Sequence, residues 1–148
     1  GISVNPGVIS GGTRTNVIAA QACVEIDVRI KQANQATSLD RKFRALRSFD
    51  KSCQLSVEGG INRMPMERTP GVAALYKKAQ AVAGHIDWKL EEAAVGGGSD
   101  GNFTAGIGIP TLDGMGGVGD GAHALHEHIV ISELPRRALL LAGMIESA

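Results

Sequence analysis

The chain has 148 residues and a mass of 15.4 kDa, enough for one ordinary domain or two small lobes. Fifteen basic residues balance fifteen acidic ones, so the electrostatic footprint of a nucleic-acid or anionic-membrane binder is missing, and neither is expected as a partner. No apolar run reaches the ~20 residues that span a bilayer, and 43% hydrophobic content argues against disorder.

Taken in chain order, an apolar run from Ile2 to Ile9 comes first, then the turn-forming SGGTRTN, then strict alternation from Ala22 to Ile30. Ala22, Val24, Ile26, Val28 and Ile30 share one parity, and Cys23, Glu25, Asp27 and Arg29 the other, which predicts an antiparallel hairpin with one face buried. Leu39, Phe43, Leu46 and Phe49 recur at helical spacing behind Thr37 or Ser38 as N-cap. Alternation at Cys53, Leu55 and Val57 predicts a third strand, ended by Gly59 and Gly60. The composition changes in INRMPMERTPG, which places a lobe boundary near Arg68. Beyond it, Thr69 caps a helix with Pro70 in its first turn, running to Gly84. A strand from Trp88 towards Val95 leads through GGGSDGNF into a short helix. A strand over Ile109 to Leu112 follows, then a terminal helix capped by Ser132 and lined by Leu134, Ala138, Leu141 and Ile145. The first lobe thus reads ββαβ over residues 1–68. The second reads αβαβα over 69–148, with neighbouring parallel strands, and the overall class is α/β. Each lobe looks incomplete, so the chain is expected to be a fragment of a larger one.

Twenty glycines are about twice the usual share, and eleven of them lie between Gly96 and Gly121. Bare backbone serves positive φ or close approach by a ligand, so this stretch is the first place to look for a site. Strand, glycines and helix start in VGGGSDGNF could cradle a carboxylate or phosphate, or Ser99 could simply cap the helix with Asp100 in its first turn; the two are compatible. No GK[ST] follows, so nucleotide binding has little support. His123, His126, Glu127 and His128 fall within six residues, but their spacing lets no more than one or two of them ligate the same ion. His123, closest to the glycines, is the one singled out; His126 and His128 read as surface residues. Arg63 could hold a carboxylate and Asn16 could offer an amide donor, whereas Arg29 could simply pair with Asp27 and Glu25. Cys23 and Cys53 have neither zinc nor redox spacing and read as plain thiols.

Together, GVISGGTRTNV, VEIDVR, EGGINRMPMERTPG, VGGGSDGNFTAGIGIPTLDGMG, GDGAHALHE and ISELPRRALLLAGMI resemble, in order and spacing, the zinc carboxypeptidases and deacylases of the carboxypeptidase G type. Acetylornithine deacetylase and succinyl-diaminopimelate desuccinylase are relatives. The resemblance implies an α+β lid and dimerisation domain with an antiparallel sheet up to about Arg68, followed by the C-terminal part of an α/β zinc-hydrolase domain. It implies His123 as a zinc ligand, and Asn16, Arg63, the backbone at Gly98 and, more weakly, Arg29 as substrate-binding. Glu127 fits the family pattern; His126 and His128 depart from it. The implied substrate is a small peptide or N-acyl amino acid with a free carboxylate, cleaved by metal-activated water, and the implied assembly is a homodimer. The other zinc ligands and the general base would lie upstream of Gly1, so no catalytic residue is expected in this chain and it should be inactive alone. The competing reading is a non-catalytic dimerisation or anion-binding module. Residues 1–10 carry no export signal, and a soluble chain of this composition suits either the cytoplasm or the periplasm.

Overall fold

The computed structural model describes residues 1–147 and divides between Pro65 and Met66 into two units, a few residues before the expected Arg68. Helices are mixed with small antiparallel sheets, an α+β arrangement.

In the first unit, β1 (Ser3–Gly11) and β2 (Ala22–Arg29) form the predicted hairpin. Its register explains the amphipathic pattern. Val4 faces Val28 and Pro6 faces Ile26, but Val8 is opposite Glu25, and Ile9 opposite Val24. Gly7 is the extra residue of a β-bulge, and it reverses the parity of β1 so that Val4, Pro6 and Ile9 share a face with Val24, Ile26 and Val28. Pro6, lacking an N–H, sits beside the bulge on a strand paired on one side only, where proline is tolerated. This face is apolar but largely uncovered: Val4, Ile9, Val24 and Ile26 are all exposed.

Helix α1 (Asn34–Arg44) starts earlier than its periodicity suggested, and neither Thr37 nor Ser38 is its N-cap. The Gln35 side chain reaches back and accepts hydrogen bonds from the backbone N–H groups of Lys31 and Gln32, at 3.1 Å each, which fixes the chain entering the helix. Among the described residues no side chain caps α1 itself. Arg44 pairs with Asp40 one turn back at 2.9 Å, which raises the already high pKa of its guanidinium, and donates to the carbonyl of Gly59 at 3.1 Å. The expected third strand at Cys53 to Val57 does not form. Asp50 starts a tight turn there, accepting from the N–H and hydroxyl of Ser52, which holds its carboxyl below the ordinary value. Among the described residues no strand lies beside the segment that follows for it to ladder with.

In the second unit, α2 (Pro70–Gly84) is as expected, with Thr69 accepting from the N–H of Val72 and Pro70 at the first position. It packs against α4 (Leu134–Glu146), and Ala79, Ala83 and Leu140 at this contact are fully buried. Gly143 permits the approach: a Cβ there would stand 2.5 Å from Cγ1 of Val82. Leu140 rather than the expected Leu141 is the buried anchor of α4. The helix is preceded by a 3-10 turn, Ile131–Glu133, that absorbs Ser132, so Ser132 is not its cap.

The parallel strands expected in this unit are corrected by the structure. Trp88 to Val95 forms no ladder; Tyr76 donates to the carbonyl of Leu90 at 2.9 Å, and Arg68 grips Glu92 through Nε at 2.9 and 3.1 Å. The guanidiniums of Arg136 and Arg137 both pack over the Trp88 ring, 4.9 and 5.2 Å from its centre. Ile109 to Leu112 is likewise unpaired, pinned by a 2.8 Å hydroxyl contact between Thr104 and Thr111 and by Pro110 seated over Gly71. Side-chain and single backbone bonds, rather than a sheet, hold both segments. The second unit's ladder is a short antiparallel one between β3 (Gly119–Asp120) and β4 (His128–Ile129), which no alternation in the sequence announces.

Candidate functional site

Asn16, Arg29 and Arg63 belong to the first unit, and Gly98 and His123 to the second; all lie in or beside loops. Asn16 is exposed in the turn that closes when Val17 N–H donates to the carbonyl of Arg14 at 3.3 Å. Arg63 is exposed in the irregular segment before the unit boundary. Arg29 ends β2 and donates through Nε to Asp27 at 2.9 Å, the local pairing that its parity allowed. Both side chains of that pair are more than half exposed, so the pair adds little to stability.

The glycine-rich loop leads into α3 (Gly101–Gly106), a helix of only six residues. Ser99 and Asn102 cap its start reciprocally: Asn102 Oδ1 accepts from the N–H of Ser99 at 2.8 Å, and Ser99 Oγ accepts from the N–H of Gly101 at 3.1 Å. Two of the N–H groups that an anion cradle at this helix would use are therefore already engaged, and the helix itself is too short to add much of a dipole. Ser99 supplies a capping oxygen from one position ahead of Asp100, the residue that immediately precedes the helix. A Cβ on Gly96 or Gly97 would meet open space, so nothing within the chain demands glycine at either position.

The histidine segment is held by a short ladder and by turns within it. The β3–β4 ladder closes its two ends, pairing Asp120 with His128. Inside, Ala124 N–H donates to the carbonyl of Gly121 at 2.8 Å and Glu127 N–H to that of Ala124 at 3.0 Å. Gly121, at φ +73°, lies beneath the His126 ring; a Cβ there would come within 2.7 Å of it. His128 Nδ1 is engaged with the carbonyl of His126 at 3.1 Å. His123 differs from both in its backbone, which is left-handed at φ +69°; like them it is exposed, and among the described residues its ring, like that of His126, enters no hydrogen bond. Its N–H is bound by Glu127 Oε2 at 3.0 Å. Sequence reasoning placed Glu127 in the cluster but missed this contact; its only signal is a carboxylate four residues after His123.

Among the described residues no group of three or more His, Cys, Asp or Glu side chains is placed to hold a metal ion. His123 offers an uncommitted imidazole, a fitting donor for a divalent metal, but the described residues do not gather a ligand set around it. A shallow depression of about 450 Å³ lies on α1, lined by Thr37, Asp40, Arg41, Arg44, Ala45 and Arg47; it includes none of the expected site residues. No helix among the described residues is long and apolar enough to cross a membrane.

Two comparisons with known proteins bear on these residues. Residues 2–147 match the family described as Peptidase family M20/M25/M40. The chain is also 29% identical, over 155 aligned positions, to a protein of Bacillus subtilis (strain 168) described as uncharacterized protein YqjE. That alignment takes in 99% of this chain and 40% of the relative, so the chain spans about two fifths of the length of the curated protein it matches.

Proposed function

The chain belongs to peptidase family M20/M25/M40, a family of metal-dependent hydrolases, and on that basis we propose that it is part of a zinc-dependent carboxypeptidase or amidohydrolase. The bond cleaved is an amide next to an amino acid with a free carboxylate. Residues 1–68 act as part of a lid and dimerisation domain, and residues 69–148 as the C-terminal part of the catalytic domain.

The observation that carries this reading is the presentation of His123. A non-glycine residue in the left-handed region costs about 1–2 kcal/mol, and such cost persists where the surroundings enforce it, often at functional positions. Here the enforced residue is an exposed histidine with an uncommitted ring, at the position where the family resemblance puts a zinc ligand. Arg63 holds the substrate carboxylate through its planar guanidinium, which carries five N–H donors in a fixed fork. Asn16 donates to the amide oxygen, where negative charge develops, and the backbone at Gly98 contacts the same end of the substrate. Arg29, already paired with Asp27, contributes least. One imidazole holds zinc too weakly for an open catalytic site, so the remaining ligands and the general base come from elsewhere in the protein, and the isolated segment has no activity.

The test is hydrolysis of N-acyl glutamates and short peptides by the natural protein that carries this segment. Activity is expected, lost on chelation, restored by zinc, and lost in His123→Ala. Full activity in His123→Ala would refute the ligand assignment.

A further inference from the structure

His123 pays for its backbone conformation, and the loop shows what holds it there. Its own side chain does not: the ring points into no hydrogen bond among the described residues. The restraint comes from four residues along the chain, where the carboxylate of Glu127 accepts the His123 N–H at 3.0 Å. In the left-handed conformation that N–H is not used by any regular ladder, and a carboxylate acceptor makes one of the stronger hydrogen bonds available to it. Glu127 is itself fixed, because its N–H is bound to the Ala124 carbonyl and the next residue, His128, is locked into β4 opposite Asp120. Gly121, two residues before His123, leaves room for the His126 ring. Glu127 thus has a defined local task, and its outcome is the posture of His123.

We propose that Glu127 is a positioning residue that, by holding the His123 N–H, keeps His123 in its left-handed conformation and aims its imidazole outward. The relevance to metal binding rests on the reading of His123 as a ligand given above; the positioning itself does not. Glu127 acts through His123 and touches no substrate.

The experiment is backbone NMR on the full chain, wild type against Glu127→Ala and Glu127→Gln, with no metal present. It reads the His123 HN–Hα coupling, which reports φ, and the His123 amide exchange rate. In Glu127→Ala the exchange is expected to rise on the order of tenfold or more and the coupling to leave its left-handed value. Glu127→Gln, which keeps an acceptor oxygen, retains most of the protection. The proposal is overturned if both readouts are unchanged in Glu127→Ala, or if Glu127→Gln loses protection as fully as Glu127→Ala. Should Glu127→Ala disrupt the β3–β4 pairing, seen in the amides of Gly119 and Ile129, the Gln variant decides alone. A second arm separates this proposal from the one it builds on. In the natural protein carrying the segment, retained zinc should fall in Glu127→Ala and be held in Glu127→Gln. If the NMR arm behaves as expected while zinc content ignores both Glu127→Ala and His123→Ala, the positioning stands and the ligand assignment fails.

Discussion

At the scale of single residues, the most informative positions are those where one atom decides the local structure. Gly143 is one. A glycine inside a helix ordinarily costs about 1 kcal/mol relative to alanine, so Gly143→Ala in an isolated α4 would stabilise. In the folded chain the new Cβ would meet Cγ1 of Val82 at 2.5 Å, and a β-branched side chain has few rotamers in a helix with which to yield. Overpacking of this kind costs roughly 1–3 kcal/mol, which outweighs the propensity gain. Gly143→Ala is therefore expected to lower the midpoint of thermal unfolding of the second unit, and Val82→Ala in the same background to recover most of the loss. A rise in the midpoint would mean that α2 and α4 do not meet at Val82 and Gly143. His123 makes the same point from the side of function. Its residue type suggested a ligand, but its left-handed backbone and its bond to Glu127 are contacts that only the folded loop reveals.

At the scale of elements, the sequence was most legible where local chemistry and periodicity agree. Helix α2 has a capping threonine, a proline at its first position and a continuous apolar stripe, and it forms as read. The hairpin was legible from the alternation in β2, but not the bulge in β1, because one residue out of phase looks like a plain apolar run until its partner is known. Deleting Gly7 puts this to the test. Without the extra residue, Pro6 and Val8 become neighbours opposite Ile26 and Glu25, the ladder runs through without interruption, and Ile9 stays opposite Val24. Cross-strand nuclear Overhauser contacts between Val4 and Val28 and between Ile9 and Val24 should therefore both persist in the deletion variant. Loss of either contact, with the rest of the hairpin intact, would contradict a bulge at Gly7. The three strands that were expected and did not form share a cause. Alternation specifies an extended segment with two unlike faces, but a strand also needs a neighbour to satisfy its N–H and C=O groups. At Cys53 to Val57, Trp88 to Val95 and Ile109 to Leu112 the described residues supply none, and side-chain contacts such as Tyr76 to Leu90 and Arg68 to Glu92 hold the last two segments instead. The site was legible in the same uneven way. His123 and the glycine loop stood out by composition, whereas the roles of Gly121, His126 and Glu127 follow from contacts that no spacing rule encodes.

At the scale of the whole molecule, the area left in water is the dominant fact. The chain exposes 11696 Å². A compact monomer of this mass would expose about 7,200 Å², and even two separate compact lobes of these sizes about 8,600 Å². Buried apolar residues are Ala36, Ala79, Ala83 and Leu140 among those described, while the apolar face of the hairpin and much of α4 stay open to solvent. A chain that folds into these elements yet covers so little of them is well suited to pack against further protein, in keeping with the proposal that it is a segment of a larger hydrolase. The same incompleteness governs the chemistry, since among the described residues no three ligating side chains converge, where a catalytic metal needs about three protein ligands. The most direct measurement is a zinc titration of the purified chain, followed by calorimetry and by the side-chain resonances of all four histidines. The account predicts weak binding that does not saturate at equimolar zinc, with His123 the most perturbed ring. A stoichiometric, tight zinc site formed by this chain alone, or binding that leaves His123 unmoved, would contradict it.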